Sequence, residues 1–372
     1  MKKIPLCIPS IGDEEIKSVV EVIKSGWITY GPKNREFEEQ FQSYLGVKHA
    51  ITMNSCTSAL HLALVGLGIE GEVIVPSFTF VASVNAILLA GARPVLVDIE
   101  EGSRNISPEL IEQAITAETE AIMVVHYAGL PAAMPQIIET AQKHNLRIIE
   151  DSAECLGGSY NNKQTGSFDI GCFSFFPTKN ITTGEGGMLT TNDDDLADQI
   201  RALCAHGIDS TTLKREKKTK PWIRIASRIG YNFRMSNFMA AIGVEQMKKI
   251  ESFNECRRQL SEQYIQHLKH IPSIQFQQVP EGYVHSWQMF TILVPEAVRD
   301  RLLHYLRSHG IEASVHFDPP VHLQAPYSAL RRSDDLHTTK EVASSIITLP
   351  MYPSLTSEDV TYVCGIIDNF SI

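Results

Sequence analysis

The chain has 372 residues, of which 43% are hydrophobic and 20% are charged, a composition typical of a soluble globular protein with room for two domains. Its 33 basic and 43 acidic residues give a formal net charge of −10, which argues against nucleic acid or an anionic membrane as the main partner. The start of the chain lacks the apolar segment of a secretory leader, and no run of about 18 apolar residues occurs, so we expect a cytoplasmic protein without membrane spans.

The first predicted elements are two helices. Apolar residues at helical spacing predict a helix over 11–25, ended by Gly26, and a second helix that ends at Gly46. Short apolar runs then alternate with helical stretches, and the runs cover 50–53, 73–75, 94–97, 121–125 and 146–149. This alternation predicts an α/β fold in which a large, mostly parallel sheet is covered by helices on both faces.

The second part of the chain predicts a smaller unit. The polar, basic stretch 209–228 is either a mobile lid or a solvated loop without function. A long helix capped by Ser236 or Asn237 would link the sheet to a segment of mixed strands and helices. We therefore expect a large α/β domain over residues 1–250 and a small C-terminal α+β domain over residues 251–372.

A lysine follows an apolar run that predicts a buried strand. The run covers residues 172–176, and we expect Lys179 directly behind the strand that it forms, before a glycine-rich turn at 184–187. At the mouth of a core, desolvation favours the neutral, nucleophilic amine that a Schiff base requires. A lysine at a strand end more often just reaches solvent, so the neighbouring segments must decide between the two interpretations.

Ligands of such sheets bind beyond the carboxyl ends of the strands, where this sequence places several polar residues. Asp151 follows a predicted strand, and a buried carboxylate there needs a partner such as a protonated pyridine nitrogen, unless it caps a helix that starts at Ser152. Thr57 and Ser58 begin a helix and form either a phosphate site or an ordinary cap. Phe80 either stacks on a flat ring or belongs to the core.

Histidines offer two further candidates. His126 ends a predicted strand, so a Ser-His-Asp triad is conceivable, but the sequence has no Gly-x-Ser-x-Gly elbow. His316 ends a predicted strand of the smaller domain and either faces the same cleft or is a satisfied interior histidine. The 13 histidines include no ligand-spaced pair beside a carboxylate, and the seven cysteines include no Cys-x-x-Cys pair, so we expect no metal site and no disulfide framework.

Short motifs occur in a specific order along nearly the whole chain. They cover residues 26–32, 54–64, 75–80, 125–129, 149–154, 174–187, 231–235 and 349–350. Together they resemble the DegT/StrS family of pyridoxal-phosphate-dependent sugar aminotransferases. The resemblance implies the aspartate-aminotransferase-like fold (fold type I), pyridoxal 5′-phosphate as cofactor, and a nucleotide keto-sugar and glutamate as substrates.

The resemblance also implies catalytic roles. Lys179 would bind the cofactor as a Schiff base and later shuttle a proton between the sugar and the cofactor. Asp151 would keep the pyridine nitrogen protonated, so that the ring acts as an electron sink. Asn232 would contact the phosphate from the neighbouring subunit, which implies a homodimer with shared active sites.

The remaining implied residues bind cofactor or substrate. On the cofactor they are Thr57, Ser58 and Ser174 at the phosphate, Phe80 against the ring and Glu154 near the ring hydroxyl. On the substrate side they are Thr29, Tyr30 and His316. The chain departs from the family at Cys56, where a small residue is usual in the phosphate turn, and in a shorter link at 68–72.

Two motifs indicate which ketone is aminated. Residues 125–129 and the turn 184–187 are most similar to the C4-aminating, perosamine-synthase-like branch, whereas enzymes acting at C3 more often carry an aspartate in that turn. The resemblance therefore implies amination of a nucleotide-linked 4-keto-6-deoxy sugar for surface polysaccharide or glycan biosynthesis. Alternatives are a 3-keto sugar aminotransferase, a sugar dehydratase of the same fold, whose relatives carry histidine in place of Lys179, and a non-enzymatic sugar- or cofactor-binding regulator. The nucleotide, the sugar and the product stereochemistry stay open.

Overall fold

The structure is a computed structural model that describes residues 2–208, 220 and 222–370. The stretch 209–228, for which the sequence predicts a lid or a loop, lies largely outside these described residues. Across the described ranges, no helix combines the length and the apolar character that crossing a membrane requires.

The larger sheet has eight strands within the described residues. Their bounds are β1 (His49–Met53), β2 (Glu72–Pro76), β3 (Arg93–Val97), β4 (Thr119–Val125), β5 (Arg147–Asp151), β8 (Ile170–Ser174), β9 (Gly187–Thr191) and β13 (Arg331–Arg332). The intervening strands β6 (Ser159–Tyr160) and β7 (Lys163–Gln164) belong to a separate small sheet. The spatial order is β1-β9-β8-β5-β4-β2-β3-β13. All neighbouring pairs are parallel except those that β9 makes with β1 and β8. The predicted mostly parallel sheet is confirmed.

The antiparallel direction of β9 follows from its connection. Residues 175–186 join β8 to β9 without a helix, whereas a parallel return requires a longer crossover. The turn therefore brings the chain back beside β8 and places the 184–187 glycines at the carboxyl end of β8.

Helices cover the sheet as the alternating pattern predicts. They are α1 (Asp13–Ser25), α2 (Pro32–Leu45), α3 (Cys56–Leu67), α4 (Val81–Leu89), α5 (Pro108–Ala114), α6 (Met134–His144) and α7 (Asp194–Cys204). Apolar side chains of α3 and α4 pack with those of β2 and β8 in one buried cluster. This packing fixes the start of α3 at the sheet's carboxyl edge.

Helix α1 buries a different face from the one that its apolar spacing suggests. Ile16 and Ile23 are 57% and 59% exposed, whereas Glu15, Ser18 and Val22 are buried. The inward face is held by polar bonds, because the Glu15 carboxylate accepts from Lys249 Nζ at 2.8 Å.

The long helix predicted after Ser236 is two helices. They are α8 (Asn237–Met247) and α9 (Ile250–Leu268), and the chain bends between them at Lys248 and Lys249. Lys249 is the N-cap of α9. The apolar spacing continues through this bend, so periodicity alone does not reveal it.

The C-terminal part forms a second small sheet with its own helices. The elements are β10 (Gln275–Phe276), β11 (Tyr283–Val284), β12 (Phe290–Leu293), α10 (Glu296–Ser308), α11 (His337–Ser345), β14 (Ile346–Leu349) and α12 (Ser357–Asp368), with the sheet order β10-β12-β14, while β11 pairs with β6. The predicted strand before His316 is wrong, since residue 314 makes only an isolated bridge to Thr348. Because Thr348 belongs to β14, this bridge attaches the segment before His316 to the smaller sheet.

Candidate active site

A cavity of about 420 Å³ lies at the carboxyl ends of β4, β5 and β8. The predicted residues that line it are Thr57, Phe80, Asp151, Glu154, Ser174, Lys179 and His316. This position agrees with the rule that ligands of parallel sheets bind beyond the carboxyl ends of the strands. Residues more than 250 positions apart in the sequence therefore share one pocket.

Lys179 lies in a turn and not directly at a strand end. Strand β8 ends at Ser174, and the Lys179 amide donates to the Phe176 carbonyl oxygen at 2.9 Å. Its Nζ lies 3.4 Å from Glu154 Oε1, and the other Glu154 oxygen accepts from the Ala128 amide at 2.9 Å. Glu154 is therefore a fixed carboxylate that holds the lysine at the cavity wall.

Asp151 is the last residue of β5 and has a buried carboxylate. Oδ2 accepts from Ser83 Oγ at 2.7 Å, and Oδ1 accepts from the Ala153 amide at 3.2 Å. Burial raises the pKa of Asp151 above its usual range, and the nearby Glu154 adds to this, while the Ser83 and Ala153 donors and the Lys179 charge oppose it. A cation placed beside this carboxylate would relieve the cost of its burial.

The first turn of α3 provides an anion site at the other side of the cavity. Ser55 is the N-cap, and its Oγ accepts from the Ser58 amide at 3.1 Å. The amides that open a helix lack intrahelical acceptors and carry the positive end of the dipole, so Cys56 and Thr57 present donors to the cavity they line. Ser58 is turned away, since its Oγ donates to Asn54 Oδ1 at 2.7 Å.

A glycine of the turn after Lys179 makes this anion site possible. A Cβ on Gly187 would lie 2.3 Å from the Ser55 carbonyl carbon and 2.5 Å from the Cys56 amide nitrogen. Since both atoms are backbone, no side-chain rotation could relieve the clash. The start of β9 and the start of α3 are therefore in direct backbone contact.

Two aromatic residues and a histidine close the cavity on the remaining side. Phe80 is 59% exposed, and its ring centroid lies 6.1 Å from that of Phe317. His316 Nδ1 is 2.9 Å from Thr348 Oγ1, and burial lowers the pKa of this imidazole, which favours its neutral form. His126, by contrast, is fully buried 3.1 Å from Glu150 and behaves as a satisfied interior histidine.

Four predicted residues are not part of this cavity lining, namely Ser58, Thr29, Tyr30 and Asn232. Asn232 is exposed and follows Tyr231 near the end of α7. The Tyr30 hydroxyl points at the buried Glu38, 3.2 Å from both carboxylate oxygens, and burial raises the pKa of this tyrosine.

The structure adds residues that the sequence argument missed. Ser83 bonds to Asp151 from within α4, and Gln288 donates to the Thr178 carbonyl oxygen at 2.8 Å, directly before Lys179. Ser83 carries a hydroxyl in the otherwise apolar start of α4. An isolated polar residue there is the sequence feature that could have indicated a buried hydrogen bond. No comparable signal marks Gln288.

The donors and acceptors of the cavity fit pyridoxal phosphate and not a metal ion. Within the described residues, no group of three or more His, Cys, Asp or Glu side chains could hold a metal. A buried carboxylate, an amine and a helix N-terminus instead match a protonated ring nitrogen, an aldehyde and a phosphate. Phe80 supplies an exposed aromatic face for the ring.

Comparisons with known proteins agree with this chemistry. Residues 9–368 match the DegT/DnrJ/EryC1/StrS aminotransferase family. The spore coat polysaccharide biosynthesis protein SpsC of Bacillus subtilis is 36% identical over 367 residues, which are 96% of this chain and 94% of SpsC.

Solved structures give the same result at the level of the fold. PseC of Helicobacter pylori, an aminotransferase involved in the biosynthesis of pseudoaminic acid, is 29% identical with a TM-score of 0.92, and the match covers 99% of both chains. The Streptococcus pneumoniae protein Spr1654 is 28% identical in its PLP form, with a TM-score of 0.91 and coverage of 99% and 98%. The same protein is also solved in a PMP form. The fold type I prediction is confirmed, and the chain belongs to the DegT/DnrJ/EryC1/StrS family and is a pyridoxal-phosphate-dependent aminotransferase.

Proposed function

We propose that this enzyme transfers an amino group from glutamate to the 4-keto group of a nucleotide-linked 4-keto-6-deoxy sugar, in surface polysaccharide or glycan biosynthesis. The observation that carries the proposal is the meeting of Lys179, Asp151 and the N-terminus of α3 in one cavity. A sugar substrate is supported by the roles named for SpsC and PseC, in polysaccharide and pseudoaminic acid biosynthesis. The choice of C4 rests on the 125–129 and 184–187 motifs.

Each residue of the cavity then has a chemical task. When bound, pyridoxal phosphate would supply an electron sink for the carbon that loses its proton. Asp151 would keep the ring nitrogen protonated, and the α3 amides with Thr57 and Ser174 would hold the phosphate. The Lys179 amine moves the proton over a short distance, with Glu154 fixing its position.

The substrate side of the proposal involves other residues. His316, in its neutral form, can donate a hydrogen bond to a sugar hydroxyl or accept one from it. Thr29 and Tyr30 would contribute from the loop before α2 only to a substrate that extends beyond the cavity, because neither lines it and the Tyr30 hydroxyl already contacts Glu38. Asn232 would reach the phosphate of the neighbouring subunit, in a cytoplasmic homodimer with shared active sites. We further propose that residues 1–250 and 251–372 are two domains with the cavity between them, although β13 of the second part pairs with β3 of the larger sheet.

A panel of nucleotide keto-sugars tests the function directly. Purified enzyme with glutamate is incubated with 4-keto and 3-keto sugars carried on UDP, dTDP and GDP, and the products are identified by mass spectrometry. We expect an amino sugar from a 4-keto substrate and formation of 2-oxoglutarate in equal amount. Amination of 3-keto sugars alone, or loss of water without amination, would replace the proposal by one of its alternatives.

The matched variant is Lys179→Ala. Without the amine that moves the proton, we expect turnover to fall by at least about a thousandfold, while pyridoxal phosphate still binds through the phosphate and ring contacts. Absorbance spectroscopy of the bound cofactor checks binding separately from turnover. Near wild-type turnover would remove Lys179 from the mechanism.

A further inference from the structure

The two oxygens of the Asp151 carboxylate have unequal partners. Oδ2 accepts a short bond of 2.7 Å from Ser83 Oγ. Oδ1 has the weaker contacts, which are the Ala153 amide at 3.2 Å and Cys56 Sγ at 4.0 Å. The carboxylate is therefore held mainly through Oδ2, and Oδ1 can accept a hydrogen bond from a further donor.

Ser83 is itself oriented by a second hydroxyl. Its side chain is fully buried on α4, and its Oγ lies 2.9 Å from Thr79 Oγ1, which is also buried. An ionised carboxylate only accepts hydrogen bonds, so the Ser83 proton points at Asp151. Thr79 must then donate to Ser83, which gives a directed chain from Thr79 through Ser83 to Asp151.

We propose that Ser83 is a positioning residue of the reaction: oriented by Thr79, it keeps the Asp151 carboxylate ionised and leaves Oδ1 to receive the ring nitrogen of the cofactor. The inference rests on the proposed role of Asp151. It extends that role to a pair of buried hydroxyls, of which Thr79 lines the cavity and Ser83 lies behind it on α4.

Opposing interactions set the pKa of Asp151. Burial raises the pKa of this carboxyl group, and the Ser83 hydrogen bond is the first of the interactions that lower it. A hydrogen bond to an ionised group is stronger than one to a neutral group, so its loss shifts the balance toward the protonated acid. A protonated Asp151 cannot hold the proton on the ring nitrogen.

Four variants test the proposal in the cofactor-loaded enzyme. Ser83→Ala removes the bond, Ser83→Thr retains the hydroxyl, and Thr79→Val removes only the orienting group. Ser18→Ala is the matched control, because Ser18 is a buried serine whose Oγ has no hydrogen-bond partner within the described residues. The charged and titratable groups around Asp151 stay unchanged in all four, namely Glu154, Lys179, Cys56 and Cys172.

The first measurement is the nitrogen-15 chemical shift of labelled pyridoxal phosphate bound to each variant, which reports protonation of the ring nitrogen. The second is the separation of kcat from KM for glutamate. We expect Ser83→Ala to shift the resonance toward the unprotonated ring and to lower kcat about tenfold with little change in KM. Ser83→Thr should restore the wild-type resonance and kcat, and Ser18→Ala should leave both unchanged. Thr79→Val should give values between those of the wild type and Ser83→Ala.

The outcomes separate this inference from the function on which it rests. A wild-type resonance and kcat in Ser83→Ala, while Asp151→Asn loses both, would overturn the positioning role alone. A wild-type resonance and kcat in Asp151→Asn would instead remove the proposed role of Asp151. A loss in Ser83→Ala that Ser83→Thr does not restore, in protein that melts at the wild-type temperature, would also count against the hydroxyl chain.

Discussion

Buried carboxylates have opposite surroundings in two parts of this molecule. Asp151 lacks a bonded basic group in the described structure, and burial raises its pKa. Burial alone would also raise the pKa of Glu15, but hydrogen bonds from Lys249, Gln246 and the Gly12 amide more than offset it, so this pKa is lowered. A cationic ligand would therefore stabilise the ionised form of Asp151, whereas Glu15 is already paired with Lys249 and stabilises the fold.

The buried Glu15 carboxylate and Lys249 form a pair that stabilises the fold. We expect Glu15→Gln to lower the free energy of unfolding by about 1–2 kcal/mol at pH 7, because it leaves Lys249 without a buried acceptor of opposite charge. A carboxyl group whose pKa is lowered by folding stabilises the folded state at pH values above its ordinary pKa of 4.5. This stabilisation is lost as the pH falls through the pKa of the folded state. Urea unfolding at pH 7 and at pH 4 measures both the size and the pH dependence.

Glu14→Gln is the matched control for that prediction. Glu14 also contacts Lys249, at 3.2 Å, but its side chain is 63% exposed and screened by water. We expect a clearly smaller loss of stability than for Glu15→Gln. Equal losses in the two variants, or a loss in Glu15→Gln that does not shrink at low pH, would contradict the role given to the buried pair.

At the scale of elements, the site depends on how closely β9 approaches α3. We predict that Gly187→Ala weakens binding of pyridoxal phosphate about tenfold or more, because its Cβ would displace the backbone of Ser55 and Cys56 and with it the helix N-terminus. Equilibrium titration of the apoenzyme with pyridoxal phosphate, followed by absorbance, measures the change.

Gly365→Ala provides the control substitution. Gly365 lies in α12, and a Cβ there would meet no atom within 4 Å. We expect unchanged cofactor affinity and a gain in stability of about 0.5–1 kcal/mol, since alanine favours a helix interior. If Gly187→Ala binds the cofactor as well as Gly365→Ala does, the contact between β9 and α3 does not shape the phosphate site.

Periodicity predicts most of these elements, because regular burial leaves a regular pattern. The strand and helix alternation up to β5 is confirmed, and so is the placement of Asp151 at the end of a strand. What escapes prediction depends on tertiary contacts. The bend at Lys249, the outward face of α1 and the bond from Ser83 to Asp151 each depend on a partner that is distant in the sequence.

The same limit applies to Lys179. The sequence predicts it directly behind a strand, but the turn that carries it is shaped by the Glu154 contact and by Gln288, which bonds to Thr178. Both partners lie on other elements. Local sequence therefore identifies the residue, and the fold determines where its amine is held.

At the scale of the whole molecule, the exposed apolar surface is what the proposed homodimer would cover. Ile16 and Ile23 on α1 are more than half exposed, and Trp222, Ile225 and Ile229 precede Asn232 with exposures of 72%, 72% and 93%. Where such side chains form a contiguous apolar patch, the patch often marks a protein–protein interface. Asn232, which does not line the cavity of its own chain, follows the second of these stretches.

Mixing two inactive variants tests whether Asn232 serves the neighbouring active site. In a heterodimer of Lys179→Ala and Asn232→Ala, one site carries both defects, while the other combines an intact Lys179 with an intact Asn232. After unfolding and refolding as a mixture at limiting pyridoxal phosphate, random pairing should restore about a quarter of the wild-type activity. Each variant refolded alone is the control, and activity that stays at the average of these two controls would place Asn232 in its own subunit's site or outside the sites altogether.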